Sequence, residues 1–115
     1  MYRFSYAEVL DETPQTARAR ERTALEQCNN LLAAAAEKGA DSRDAIEALL
    51  FCRRLWAMLL EDLAHPENQL PQQLRADLIS IGLWIMREAE EIRLGRSKNF
   101  QGIIDISKVI SGGLQ

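Results

Sequence analysis

The residues best equipped for chemistry stand in one stretch, "EDLAHPENQLPQQLRADL" from Glu61 to Leu78, which holds the single histidine, His65, and two of the three prolines. Asp62 and Glu61 precede His65 by three and four residues, offsets that place side chains on one helical face, as a metal-binding pair requires. A metal site needs three or four ligands, and bundles that hold metal draw Glu-x-x-His motifs from several helices. With no second histidine to contribute, the stretch reads instead as a joint between helices, His65 being placed to meet the last carbonyls of the first. Neither a glycine-rich phosphate loop nor a Ser/His/Asp or Cys/His set can be assembled, so no enzyme, metal or cofactor is expected. Cys28 and Cys52 fall among apolar residues at helical spacing and read as small buried hydrophobes rather than a disulfide.

The cations are equally sparing. Arg20 points away from Arg18 and Arg22 at 100° per residue, with Glu21 and Glu26 close by, which describes a solvated helix face. Arg53 and Arg54 interrupt an apolar stripe just before Trp56, where guanidinium groups can pair with carboxylates or stack on rings. Fourteen basic against seventeen acidic residues leave a formal charge of −3, so attraction to a nucleic acid or an anionic membrane is not expected. The uncharged run "LISIGLWIM", Leu78 to Met86, has nine residues, about half of a bilayer span. The start, "MYRFSYAEVL", lacks the pattern of a secretory signal, and a cytoplasmic protein is expected.

The elements that must position these residues are helices. At 115 residues, 47% hydrophobic and 27% charged, the chain fits one domain over residues 1–115. Tyr2, Phe4 and Tyr6 alternate in what is either an extended arm or the lead-in to a helix. Thr13-Pro14 opens a helix over about 14–38, with Leu25, Cys28, Leu32, Ala35 and Ala36 on one stripe and Gly39 as its stop. Asp41 or Ser42 caps the next, about 43–64, where Ile46, Leu49, Leu50, Arg53, Trp56, Leu60 and Leu63 recur at helical spacing and Cys52, Leu55 and Leu59 widen the stripe, a face that must touch more than one neighbour and so sets this helix at the centre. His65-Pro66 ends it. A third helix, about 71–94, carries Leu74, Leu78, Ile81, Ile85, Ala89 and Ile92, with Ile79, Leu83 and Met86 beside them and Gly95 as cap. Ser97 or Asn99 caps a fourth, about 98–111, carrying Phe100, Ile103, Ile104, Ile106, Val109 and Ile110. The expected architecture is all-α, a bundle of about four helices, with Trp56 and Trp84 each either core or an anchor for a partner.

Three segments carry a family pattern: "RRLW" at Arg53 to Trp56, "HPENQLPQQLRADLISIGLW" at His65 to Trp84, and the tail "GIIDISKVISGGL". They resemble the FlaF family of flagellar biosynthesis regulators of alpha-proteobacteria, through Arg53, Arg54, Trp56, Pro66, Asn68, Leu70, Pro71, Leu74, Arg75, Ala76, Ser80, Gly82, Leu83 and Trp84. Two departures are visible. Cys52 stands where the family pattern has asparagine, and Ile106-Ser107-Lys108 where it has Ile-Asn-Arg.

The resemblance implies a cytoplasmic factor in flagellin synthesis and export, a chaperone-like binder of flagellin that works with or against the translational regulator FlbT. The apolar faces suit that task, since a groove of leucine, isoleucine and tryptophan can hold an amphipathic segment as an added helix. The expected contacts are Trp56, Trp84, Ile103, Ile106 and Ile110, with Arg53 and Arg54 pairing client carboxylates. Two other readings stand beside it: a regulator of flagellin messenger RNA, acting directly or through FlbT, and a helical adaptor that forms a homo-oligomer.

Overall fold

The computed structural model describes residues 14–113, with side chains from Ala19 to Gly112, so the readings of Tyr2, Phe4, Tyr6 and Thr13 fall outside the described residues. Its elements are four α-helices: α1 (Pro14–Lys38), α2 (Arg43–Ala64), α3 (Gln72–Arg93) and α4 (Phe100–Gly113). The fold is all-α, without a strand among the described residues.

Local hydrogen bonding sets the boundaries. Gly39 takes φ +97°, a left-handed conformation open to glycine at little cost, and its N–H donates to Ala35 O at 2.9 Å to close α1. Of the two candidate caps it is Ser42 that starts α2, its Oγ accepting from Ala45 N at 3.1 Å while donating to Gly39 O at 2.7 Å. Lys38 pairs with Asp44 across this turn, and the contact holds the ammonium above its ordinary pKa by hydrogen bonding and charge. At the end of α3, Gly95 N donates to Ile92 O at 3.0 Å and Arg96 N to Glu91 O at 2.8 Å, a Schellman pair made possible by Gly95 at φ +78°. Asn99 rather than Ser97 caps α4, its Oδ1 accepting from Gly102 N at 3.0 Å.

The joint from His65 to Pro71 is held by Asn68. Its Nδ2 donates to Asp62 O, a carbonyl of the last turn of α2 that also accepts from His65 N, and its Oδ1 accepts from Leu70 N, the two Asn68 bonds both at 3.0 Å. His65 also takes part in the turn: its Nδ1 accepts from Glu67 N at 3.1 Å, so that nitrogen faces forward along the chain. Pro71 is the N-cap of α3 rather than its first residue; it lacks the N–H, and its carbonyl accepts from Arg75 N at 2.9 Å.

The core runs through all four helices: Leu25, Cys28, Leu32 and Ala35 from α1; Ala45, Ala48, Leu49, Cys52 and Trp56 from α2; Ile85, Ala89 and Ile92 from α3; Phe100, Ile103 and Ile104 from α4. Helix α1 packs along both α2 and α4, and α2 along both α1 and α3, while α3 and α4 meet only sparsely. The central position expected of α2 is therefore shared with α1. Part of each expected stripe turns outward. Ile46 (58%), Leu50 (45%), Leu74 (43%) and Leu83 (53%) are exposed, and the small Ala45, Ala48 and Ala89 take the closest inward positions in their place. The two cysteines are buried against one another in this core, and the Cys28 thiol together with burial pushes the Cys52 thiol up, which keeps it protonated and unreactive.

Candidate functional site

The sparse meeting of α3 with α4 leaves an apolar cleft at the end of the bundle where α2 passes into α3. It contains a cavity of about 60 Å³ bounded by Trp56, Leu59, Leu63, Leu70, Leu78 and Ile110. Glu21, Asp62 and Asn68 stand among the leucines. A space of this size exceeds what one water needs, yet its walls offer water few partners, so it suits an apolar side chain better.

Trp56 is the centre of the site and is positioned by a glycine. Its Cε3 and Cζ3 lie where a Cβ on Gly82 would be 2.7 and 2.9 Å away, and Leu60 Cδ2 lies 2.8 Å from the same point. Only a residue without a side chain lets α3 approach the indole this closely. Sequence reading passed over Gly82 as a structural determinant, although the signal was present: a glycine inside a helix costs about 1 kcal/mol against alanine and calls for a packing reason. The cavity-lining Leu59, Leu63 and Leu78 read in the sequence as members of apolar stripes and Leu70 as part of the family pattern, but none as a site residue, because nothing in their periodicity separates them from ordinary core leucines.

The structure places the expected contact residues in three settings. Trp56 and Ile103 are core, at 1% and 0% exposure, so any contact by Trp56 is confined to the part of its ring that borders the cavity. Ile106 and Ile110, one turn apart on α4, are half-buried against the core, and Ile110 reaches the cavity. Trp84 is 39% exposed; lying two residues from Gly82, it points about 160° away from it, on the flank of α3 turned from α2. The two tryptophans thus divide the alternatives between them, one core and one surface.

Arg53 and Arg54 are exposed on the outer side of α2. Arg53 Nη1 lies 4.0 Å from Glu90 Oε1, and Glu90 also accepts from Arg93 Nε at 2.6 Å. Hydrogen bonding from Arg93, and the charges of Arg93 and Arg53, hold the Glu90 carboxyl below its ordinary range. Arg53 is therefore already engaged across α2 and α3, and the cavity is not brought together with the arginine pair by any shared lining residue.

A second, polar depression of about 480 Å³ runs between α1 and α4, lined by Arg22, Glu26, Asn29, Asn30, Lys108 and Ser111. Asn29 Oδ1 and the nearby α4 hydroxyl of Ser107 are buried without hydrogen-bond partners. Both departures from the family pattern, Cys52 and Ser107, are fully buried. Among the described residues no cluster of His, Cys, Asp and Glu could hold a metal ion, and no helix is long and apolar enough to cross a membrane.

Comparison with known proteins returned one result. The protein family described as flagellar protein FlaF matches residues 2–114. No curated protein and no solved structure matches.

Proposed function

The chain belongs to the FlaF family of flagellar proteins, and from that premise we propose that it binds flagellin as a chaperone-like factor in flagellin synthesis and export, working together with FlbT. The observation that carries this reading is the apolar cavity among α2, α3 and α4, together with the large side chains that α3 and α4 leave exposed: Trp84, Leu74, Leu83 and Val109. Flagellin before assembly has amphipathic terminal segments, and such a segment laid along the sparse α3–α4 side would add a helix where the bundle has the least helix-to-helix packing. One bulky client side chain would enter the cavity, while Trp84, partly exposed on the outer flank of α3, would act as a second anchor apart from it. Ordering the client costs part of the gross gain, so a moderate affinity is expected.

The test is co-purification of this chain with flagellin and, separately, with FlbT, after removal of RNA. A variant with Trp84→Ala and Ile106→Ala should lose flagellin while keeping its helical circular-dichroism signal. Retention of flagellin at wild-type level by that folded variant would remove the α3–α4 side from the reading. Binding of FlbT alone, with no flagellin capture, would replace the chaperone role with a regulatory one.

A further inference from the structure

Four of the seven large apolar side chains exposed among the described residues, Ile46, Leu50, Leu83 and Leu94, stand on one face, and none of them borders the Trp56 cavity. On α2, Ile46, Leu50, Arg53 and Ala57 follow one another at steps of four, three and four; on α3 and its cap residue Leu94, the series Leu83, Arg87, Glu90 and Leu94 does the same. Such steps hold each row within about 60° of its helix and make it about 17 Å long, the seam that one coiled-coil helix offers another.

Both rows face the same way. Ile46, Leu50 and Ala57 each come one residue after a buried one, Ala45, Leu49 and Trp56, so their row lies about 100° round α2 from its core line. Leu83 is displaced in the same way from Gly82, which meets Trp56. The rows adjoin, since Arg53 of one lies 4.0 Å from Glu90 of the other. As positions fall from Trp56 to Arg53 on α2, their contacts rise from Gly82 to Glu90 on α3, so the helices are antiparallel. Ile46 and Leu94 therefore share one end of an apolar trough, and Ala57 and Leu83 the other. A trough of this kind between two helices is the shape that receives a third.

The charges decide what kind of helix. The chain as a whole is acidic, at −3, yet this face carries Arg53, Arg54 and Arg87. Arg54 and Arg87 have no carboxylate partner among the described residues. Glu90, the one acid in the two rows, is already met by Arg93 at 2.6 Å and by Arg53. We propose that the outer face of α2 and α3 docks an acidic amphipathic helix of another protein, its apolar side chains over Ile46, Leu50, Leu83 and Leu94 and its carboxylates on Arg53, Arg54 and Arg87. A second copy of this chain fits worse, because two-fold pairing of the face would set these arginines against one another. Trp84 and the cavity lie off this face, so a client on the α3–α4 side and an acidic helix here can be held at once. The chain then joins two proteins, whether or not the client is flagellin.

The experiment uses the full-length chain and two synthetic three-heptad helices, both with leucine at alternating steps of three and four. One has glutamate and the other lysine at the positions flanking the leucines, and fluorescence anisotropy of the labelled peptides reads binding. The glutamate peptide is expected to bind, and the lysine peptide to bind at least about tenfold more weakly, the difference shrinking as salt is added. Leu50→Ser with Leu83→Ser should abolish binding with the helical circular-dichroism signal retained. Arg54→Glu with Arg87→Glu should turn the preference toward lysine; it alters only exposed side chains and so tests the proposal even if the leucine variant fails to fold. Equal binding of the two peptides, binding of neither, or unchanged affinity in the folded leucine variant would overturn the proposal. Light scattering that shows a dimer in the wild type and a monomer in the leucine variant would overturn it too, assigning the face to a second copy. No outcome depends on flagellin capture, so failure here and failure of the proposed function are separately visible.

Discussion

Replacing Gly82 by alanine should destabilise the protein, although alanine is the better helix former. A Cβ there would stand 2.7 and 2.9 Å from Trp56 Cε3 and Cζ3, and 2.8 Å from Leu60 Cδ2, where ordinary carbon contacts lie at about 3.5–4.0 Å. Leu60 can swing aside, but Trp56 is 1% exposed and its ring has nowhere to go, so α3 must back away or the indole must leave its rotamer. Overpacking of this kind costs about 1–3 kcal/mol, and rigid ring atoms at two of the three contacts place it at the upper end. The helix-propensity gain of about 1 kcal/mol offsets part of this, leaving a net loss of about 1–2 kcal/mol. For a chain of this length that is a fall in melting temperature of about 5–15 °C. Urea unfolding of wild type, Gly82→Ala, Trp56→Phe and the double variant forms a cycle. The double variant should be less destabilised than the sum of the singles by at least about 1 kcal/mol, because the clash disappears with the larger ring. Additive losses, or a Gly82→Ala variant more stable than wild type, would refute the claim that Gly82 exists to seat Trp56.

Other consequences are smaller and equally direct. Asn68→Ala removes the two hydrogen bonds that the Asn68 side chain makes in the α2–α3 joint and should lower stability by about 1–2 kcal/mol, whereas Asn68→Asp keeps the acceptor for Leu70 N and should lose less; urea midpoints decide. Ser107→Ala deletes a fully buried hydroxyl without a partner and should raise stability by about 1 kcal/mol, so a loss on substitution would expose a bond that the hydroxyl makes. Glu90 has a folded-state pKa lowered from 4.5, so its contribution is complete above that value and is lost as pH falls through the lower, folded pKa. Between pH 6 and pH 3 wild type should therefore lose more stability than Glu90→Gln. Added salt should shrink the difference, because the group is exposed and screened.

The family resemblance rested on an ordered set of residues, and the structure gives several of them distinct physical tasks. Asn68 and Pro71 build the joint, Gly82 and Trp56 form one close contact, and Leu70 lines the cavity. Arg53 lies within 4.0 Å of Glu90 across α2 and α3. The cavity itself was not legible, since it is made by Leu59 and Leu63 of α2, Leu78 of α3 and Ile110 of α4, residues brought together only by packing.

What the sequence determined by itself was the punctuation. Gly39, Pro66, Gly95 and the cap pairs Asp41/Ser42 and Ser97/Asn99 act on backbone only a few positions away, so the chain carries the places of the helix ends locally, while the structure chose Ser42 and Asn99 from the pairs. Which apolar residues face inward was left to the tertiary structure. Each helix offers more apolar circumference than one neighbour can cover, and only the arrangement α4–α1–α2–α3, open between its ends, buried Trp56 and left Trp84, Ile46 and Leu83 outside. Burial depends on where other helices lie, and period alone cannot encode that.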